Sequence, residues 1–245
     1  MKKTNLSILS LLLLLFVAII SCSKDNDNSI NDTKGTGLID PVEFGKLHNE
    51  FLLEAIKTSK SKSSLSNKQA FMSVSIPNVS PEMQSKVYEE ISNISTSQMK
   101  DTIFSHLNTA LAKTYFEEID NALDSATNYS ELENNINTIQ VKIDKDLKGT
   151  DWDVIMVYAE TIKASSQVWY SPEMGGKGIG FSYKLAGKSN SLAKQAEVAD
   201  WVKKDGRGAG YGMVAWSFSA FFGPVGAAGF LYGAVSGAVT SSFLP

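Results

Sequence analysis

The stretch Ser130 to Trp169, SELENNINTIQVKIDKDLKGTDWDVIMVYAETIKASSQVW, decides the fold class. Leu132, Ile136, Ile139, Ile143 and Leu147 recur in steps of four and three, the narrow seam of a helix packed in a bundle. Ser130 and Glu133 have the spacing of a capping box at its start, and Gly149 suits a C′ position after its end. Thr150 then opens a second helix with Trp152, Ile155, Met156, Ala159, Ile162, Ser166 and Trp169 inward, and Pro172 closes it. Glu160 and Lys163 read as a solvent-facing pair on that helix.

Upstream the same period recurs. Pro41 suits a helix start, and Phe44, Leu47, Phe51, Ala55 and Ile56 follow at helical spacing. His48 falls on that apolar face, where a histidine is expected to be a core residue with one hydrogen-bond partner. Thr58 to Lys68, rich in Ser and Lys, reads as a linker. Ser80-Pro81-Glu82 starts another helix, with Met83, Val87, Ile91 and Ile94 on one face. Ser95 and Gln98 make a capping box that opens the longest candidate helix. Its stripe runs Met99, Ile103, Leu107, Ala110, Leu111, Thr114, Ile119, Ala122, Leu123, Ala126, with His106 beside it as a structural residue.

Downstream the helical period breaks. Met174 to Gly180 reads as a flexible glycine-rich loop carrying Lys177. A phosphate-cradling loop needs Gly-Lys-Ser/Thr at the head of a helix after a buried strand, whereas Lys177 is followed by Gly178 and preceded by helix. Phe181, Tyr183 and Leu185 alternate like a short strand or hairpin arm, and Ser189 to Lys204 is helical again with Leu192, Ala196, Ala199 and Val202 on one side. The expected fold is mainly α, a helical bundle.

Ala209 to Pro245 contains no charged residue. Met213–Phe222 and Val225–Leu244 are two apolar segments broken at Gly223-Pro224, a candidate helical hairpin. The second, as a helix, is about 30 Å long and matches a hydrocarbon core. Gly229, Gly233, Gly237 and Ser241 lie four apart, so they form a small-residue stripe for helix–helix or membrane packing. Three placements stay open: a hairpin buried under the upstream helices, insertion into a membrane, or a bacteriocin-like glycine zipper that permeabilises a target bilayer.

The N-terminus reads as an export signal. Lys2 and Lys3 precede an apolar run from Ile8 to Ile20 broken only by Ser10. Ile19-Ile20-Ser21-Cys22 resembles the bacterial lipobox, which makes Cys22 the expected lipidation site and the membrane anchor. Cys22 is the single cysteine, so no intramolecular disulfide can form. The chain therefore divides into a signal peptide (1–21), a polar tether (22–40), a helical domain (41–205) and an apolar hairpin (206–245). The expected location is the cell envelope, as an outer-membrane lipoprotein. Ser23-Lys24-Asp25 resembles in part the signals that send Bacteroidota lipoproteins to the outer surface, and a solvated linker explains it equally well.

Composition narrows the chemistry. Removing residues 1–21 takes two lysines and no acid from 23 basic and 26 acidic residues, which leaves a formal net charge of −5. That argues against a nucleic-acid partner. Two histidines, no HExxH and no Gly-x-Ser-x-Gly elbow leave no catalytic, metal or cofactor constellation to name. The carboxylate pairs Glu89/Glu90, Glu117/Glu118 and Asp151/Asp153 read as solvated faces. Asp101-Thr102-Ile103 and Asp124-Ser125-Ala126 resemble the O-glycosylation acceptor of Bacteroidota, although Ile103 and Ala126 are also needed inside.

The lipobox with Cys22, the run Gly45-Lys46-Leu47-His48-Asn49-Glu50 and the glycine/alanine-rich end from Asp205 to Ser242 together resemble a group of Bacteroidota lipoproteins. The resemblance implies a lipid-anchored, mainly helical envelope protein and carries no activity with it.

Overall fold

The structure, a computed structural model, describes residues 34–37, 40–61, 69, 72–74, 80–180 and 191–215. Cys22, the Phe181–Leu185 segment and the tail residues Gly229, Gly233, Gly237 and Ser241 lie outside these. Among the described residues there are seven α-helices and no strand: α1 (Pro41–Ser61), α2 (Pro81–Ser92), α3 (Thr96–His106), α4 (Ala110–Ser125), α5 (Tyr129–Asp146), α6 (Gly149–Trp169) and α7 (Ser191–Ala215). The fold is a mainly α bundle, as the hydrophobic period predicts.

Helix α6 is its axis. It packs against α7, α1, α5 and α4, while α7 also lies on α3 and α4. Val154, Ile155, Val157, Tyr158, Ala159, Ile162, Val168 and Trp169 are all buried, so apolar residues face inward on every side of α6. Such a helix is stable only when surrounded. Around it, Leu132, Ile136, Ile139, Ile143 and Leu147 of the α5 seam are buried, as are Phe44, Phe51, Ala55 and Ile56 of α1. Phe116 of α4 stacks on Tyr158 at 4.1 Å and takes the edge of Phe104 at 5.2 Å, which ties α3, α4 and α6 at one point.

The longest candidate helix is in fact two. The chain leaves the helix at Leu107 and restarts at Ala110 with Thr109 as N-cap. The cause is Asp151, on the first turn of α6. Its carboxylate accepts from the backbone N–H of Asn108 and Thr109 at 2.8 and 2.9 Å, and from both of their side chains. The break resets the helical phase. Ala110, Leu111 and Thr114 therefore face outward and Ala112, Tyr115 and Phe116 take the inner face instead, while Ile119, Ala122, Leu123 and Ala126 are buried as expected. Asp151 and Asp153 are not a solvated pair, since each is 3 % exposed.

Asp153 performs a second tie. It accepts from the N–H and hydroxyl of Thr36 at 3.0 and 2.5 Å, while Gly149 N–H donates to the Lys34 carbonyl and Lys34 pairs with Asp144. Residues 34–36 thus belong to the bundle, and the end of the expected tether is docked chain. Gly35 is required there, because a Cβ would sit 2.1 Å from Asp153 Oδ1. The start of α5 also differs from expectation: Asn128, not Ser130, is the N-cap, and Glu131 receives the Thr127 N–H and hydroxyl.

The glycine-rich segment after α6 is a fastening and not a flexible loop. Gly175 and Gly178 adopt left-handed φ of 83° and 65°. The N–H groups of Gly176, Lys177 and Gly178 donate to the carbonyls of Ser171, Gln167 and Tyr170, which closes the end of α6. These amides are consumed internally, so the phosphate reading fails on geometry as well as on sequence.

Candidate functional site

The polar residues gather at two places, one sealed in the core and one open beside it. The sealed one is built by Asp205-Gly206-Arg207. These residues lie inside α7, which continues without a break from Ser191 to Ala215 and carries the chain across positions 205 and 206. Asp205 is fully buried; its Oδ2 accepts from Ser165 Oγ at 2.6 Å and from Trp169 Nε1 at 2.8 Å. Two residues on, Arg207 donates from Nη2 to Asp120 Oδ2 at 2.7 Å, and the Tyr158 hydroxyl donates to the other oxygen of Asp120. Burial pushes the Tyr158 hydroxyl well above its ordinary range, and Asp120 adds to the shift. One pair of charges on α7 thus engages α4 and α6 together.

His48, on α1, completes the cluster. As expected it lies in the core, fully buried, with its Nδ1 3.1 Å from Asn49 Oδ1. Asn49 donates its own amide to the Ala164 carbonyl at 2.8 Å, so its oxygen is the acceptor and His48 Nδ1 carries the proton. His48 Nε2 faces Asp205 at 3.7 Å and makes no hydrogen bond among the described residues.

Ser165, His48 and Asp205 have the composition of a hydrolytic triad but not its wiring. Ser165 donates to the aspartate, whereas nucleophilic activation requires the histidine to accept the serine proton. All three are 0 % exposed. Their role is to fix the register of α1, α6 and α7.

The cluster has a pH signature. Burial pulls the His48 pKa below its ordinary 6.5, and Asp205 and Asn49 only partly oppose this. Below pH 6.5 the unfolded chain therefore binds the proton more readily than the folded one, so stability present at neutral pH declines as pH falls. The urea midpoint should drop between about pH 7 and 5.5, and His48→Gln should flatten that drop. An unchanged slope in the variant would assign the effect elsewhere.

The open site is a cleft of about 250 Å³ between α1, the start of α5 and α6. Gly45 and Ala164 form its close contact: a Cβ on Gly45 would stand 3.1 Å from the Glu160 carbonyl and 3.3 Å from Ala164 Cβ. Gln167 donates to the Tyr129 hydroxyl at 2.8 Å, and that hydroxyl donates to Glu133 at 3.0 Å. Across the cleft Glu160 Oε1 accepts from Gln140 at 2.7 Å and Lys163 at 3.0 Å, and Lys163 also reaches Gln140. Glu160 and Lys163 are not a solvent-facing pair, since their side chains are only 12 % and 17 % exposed. Burial, with Glu133 and Glu160 reinforcing it, pushes the Tyr129 hydroxyl up to about 12.

The remaining residues singled out from the sequence stand apart. His106 is exposed in the last turn of α3, bonded to its own helix, and does not lie on the core. Thr102 donates to the Gln98 carbonyl and Ser125 to the Ala122 carbonyl, while Ile103 and Ala126 are buried. Glu117 and Glu118 pair with Lys100 and Lys142. Among the described residues no group of side chains could hold a metal ion, and no helix is long and apolar enough to cross a membrane.

Compared with protein-family models, curated proteins and solved structures, the chain matches none.

Proposed function

We propose that the protein is a lipid-anchored, non-enzymatic component of the cell envelope, attached through Cys22, whose bundle takes in the beginning of the charge-free C-terminal tail. One observation carries the second half of this reading. Helix α7 passes from its amphipathic part into the tail without interruption, and Ala209, Tyr211, Met213 and Val214 are buried. Asp205 and Arg207 favour the same placement, because both charges would have to leave their partners for α7 to enter a membrane. The lipobox supports the anchor. The sealed wiring of Ser165, His48 and Asp205 supports a non-enzymatic role.

Replacing Cys22 by Ala and fractionating cells tests the reading. The variant is expected to move from the membrane to the soluble fraction; retention after a high-salt wash would make the tail the attachment instead. The rival is a surface-tethered antibacterial or pore-forming protein, favoured by the 20 uncharged residues from Val225 to Leu244. It predicts dye leakage from liposomes that Gly233→Leu or Gly237→Leu abolishes. Intact liposomes would remove the rival.

A further inference from the structure

The cleft between α1, α5 and α6 brings two carboxylates and two lysines together. Its two carboxylates are each half committed. Glu133 spends one oxygen on Tyr129 and Glu160 spends one on Gln140 and Lys163; among the described residues neither second oxygen has a hydrogen-bond donor. Both groups are held by partners that are themselves anchored, which is the pre-organisation a binding site needs.

The positive charges are placed differently. Lys163 is enclosed and consumed by Glu160 and Gln140. Lys46 lines the cleft with its side chain 65 % exposed, and its one ion pair among the described residues is a loose 3.5 Å contact to Glu43. The cleft therefore offers anchored anionic acceptors on its α5 and α6 walls and an exposed cation on its α1 wall. At about 250 Å³ it is smaller than the pockets of roughly 300–1,000 Å³ that enclose drug-sized molecules. We infer that the cleft binds a small zwitterion of the α-amino-acid type, its ammonium between the free oxygens of Glu133 and Glu160 and its carboxylate towards Lys46.

Neither Cys22 nor the tail enters this inference, so it stands or falls apart from the anchor. The test is calorimetric titration of the full chain in detergent with three probes: L-alanine, methylammonium and acetate. Saturable binding is expected for L-alanine, weaker binding for methylammonium and none for acetate. Glu133→Gln should weaken L-alanine by roughly tenfold, the scale of one charge-assisted hydrogen bond. Lys46→Gln, an exposed change that leaves the core untouched, should weaken L-alanine while leaving methylammonium as it was. That split is something a merely structural role for Lys46 would not produce. Absence of saturable L-alanine binding, tighter binding of acetate than of methylammonium, or an equal loss for both amines in Lys46→Gln would overturn the assignment.

Discussion

Arg207→Ala is expected to lower stability by about 3–5 kcal/mol, the usual cost of leaving one member of a buried ion pair without its partner. The side chains of Arg207 and Asp120 are 15 % and 7 % exposed, so water can screen the abandoned carboxylate only slightly. Asp120 would keep the Tyr158 hydroxyl but lose its cation, and the truncated side chain would leave a void beside α4 and α6. Urea denaturation monitored by circular dichroism gives the number. The double replacement Arg207→Met with Asp120→Leu should lose less than Arg207→Ala alone, because apolar side chains of similar bulk need no counter-charge. A loss below about 1 kcal/mol for Arg207→Ala would mean that the pair behaves like a surface salt bridge.

The second large effect is at Gly206. In an exposed helix, glycine to alanine gains about 1 kcal/mol of propensity. Here the sign reverses. A Cβ at position 206 would lie 2.6 Å from Ile162 Cδ1 and 2.7 Å from Tyr158 Cε2. The isoleucine terminus can turn aside, but the tyrosine ring cannot, since it is stacked on Phe116 and bonded to Asp120. Gly206→Ala should therefore be destabilising despite its better propensity, and Gly206→Leu should cost about 3 kcal/mol, the upper part of the range for overpacking. Gly210→Ala is the control: its Cβ meets the Ile103 side chain, Cδ1 at 2.9 Å and Cγ1 at an ordinary 3.5 Å, so a smaller loss is expected in the same denaturation series. A gain at Gly206→Ala would show that α6 and α7 can separate without penalty.

Gly206 and Gly210 show, within the described residues, the close helix approach that small residues four apart permit. Small residues four apart do bring helices together in this protein, and the described example lies at the centre of α7, upstream of the stripe from Gly229 to Ser241. The charges on either side of Gly206 hide it, because hydrophobic period treats Asp205 and Arg207 as solvent markers. The seam of α5 and the face of α1 were legible because one short spacing fixes them and nothing distant overrides it. The interruption at Leu107 to Thr109 was not, since its cause is Asp151, more than 40 residues away. The same holds for the docking of Lys34 to Thr36 and for the cleft, where α1 meets α5 and α6 from about 80 residues away or more. Helix content is written in local periods, whereas the ties between helices are carried by single polar side chains whose partners periodicity cannot name.

The position of α7 has a temporal consequence. Ser165 and Trp169 on α6 meet Asp205, and Asp120 on α4 meets its cation, only when residues 205 and 207 arrive. Until that late part of the chain has been synthesised, these groups lack the partners that α7 supplies, so a shorter nascent chain is expected to be more loosely structured. Under the export proposed for this chain, such an order of assembly is an advantage, because a bundle that locks late is threaded more easily. Its final locking step is reserved for the last quarter of the molecule, and the same delay exposes any chain truncated before Ser191 to proteolysis.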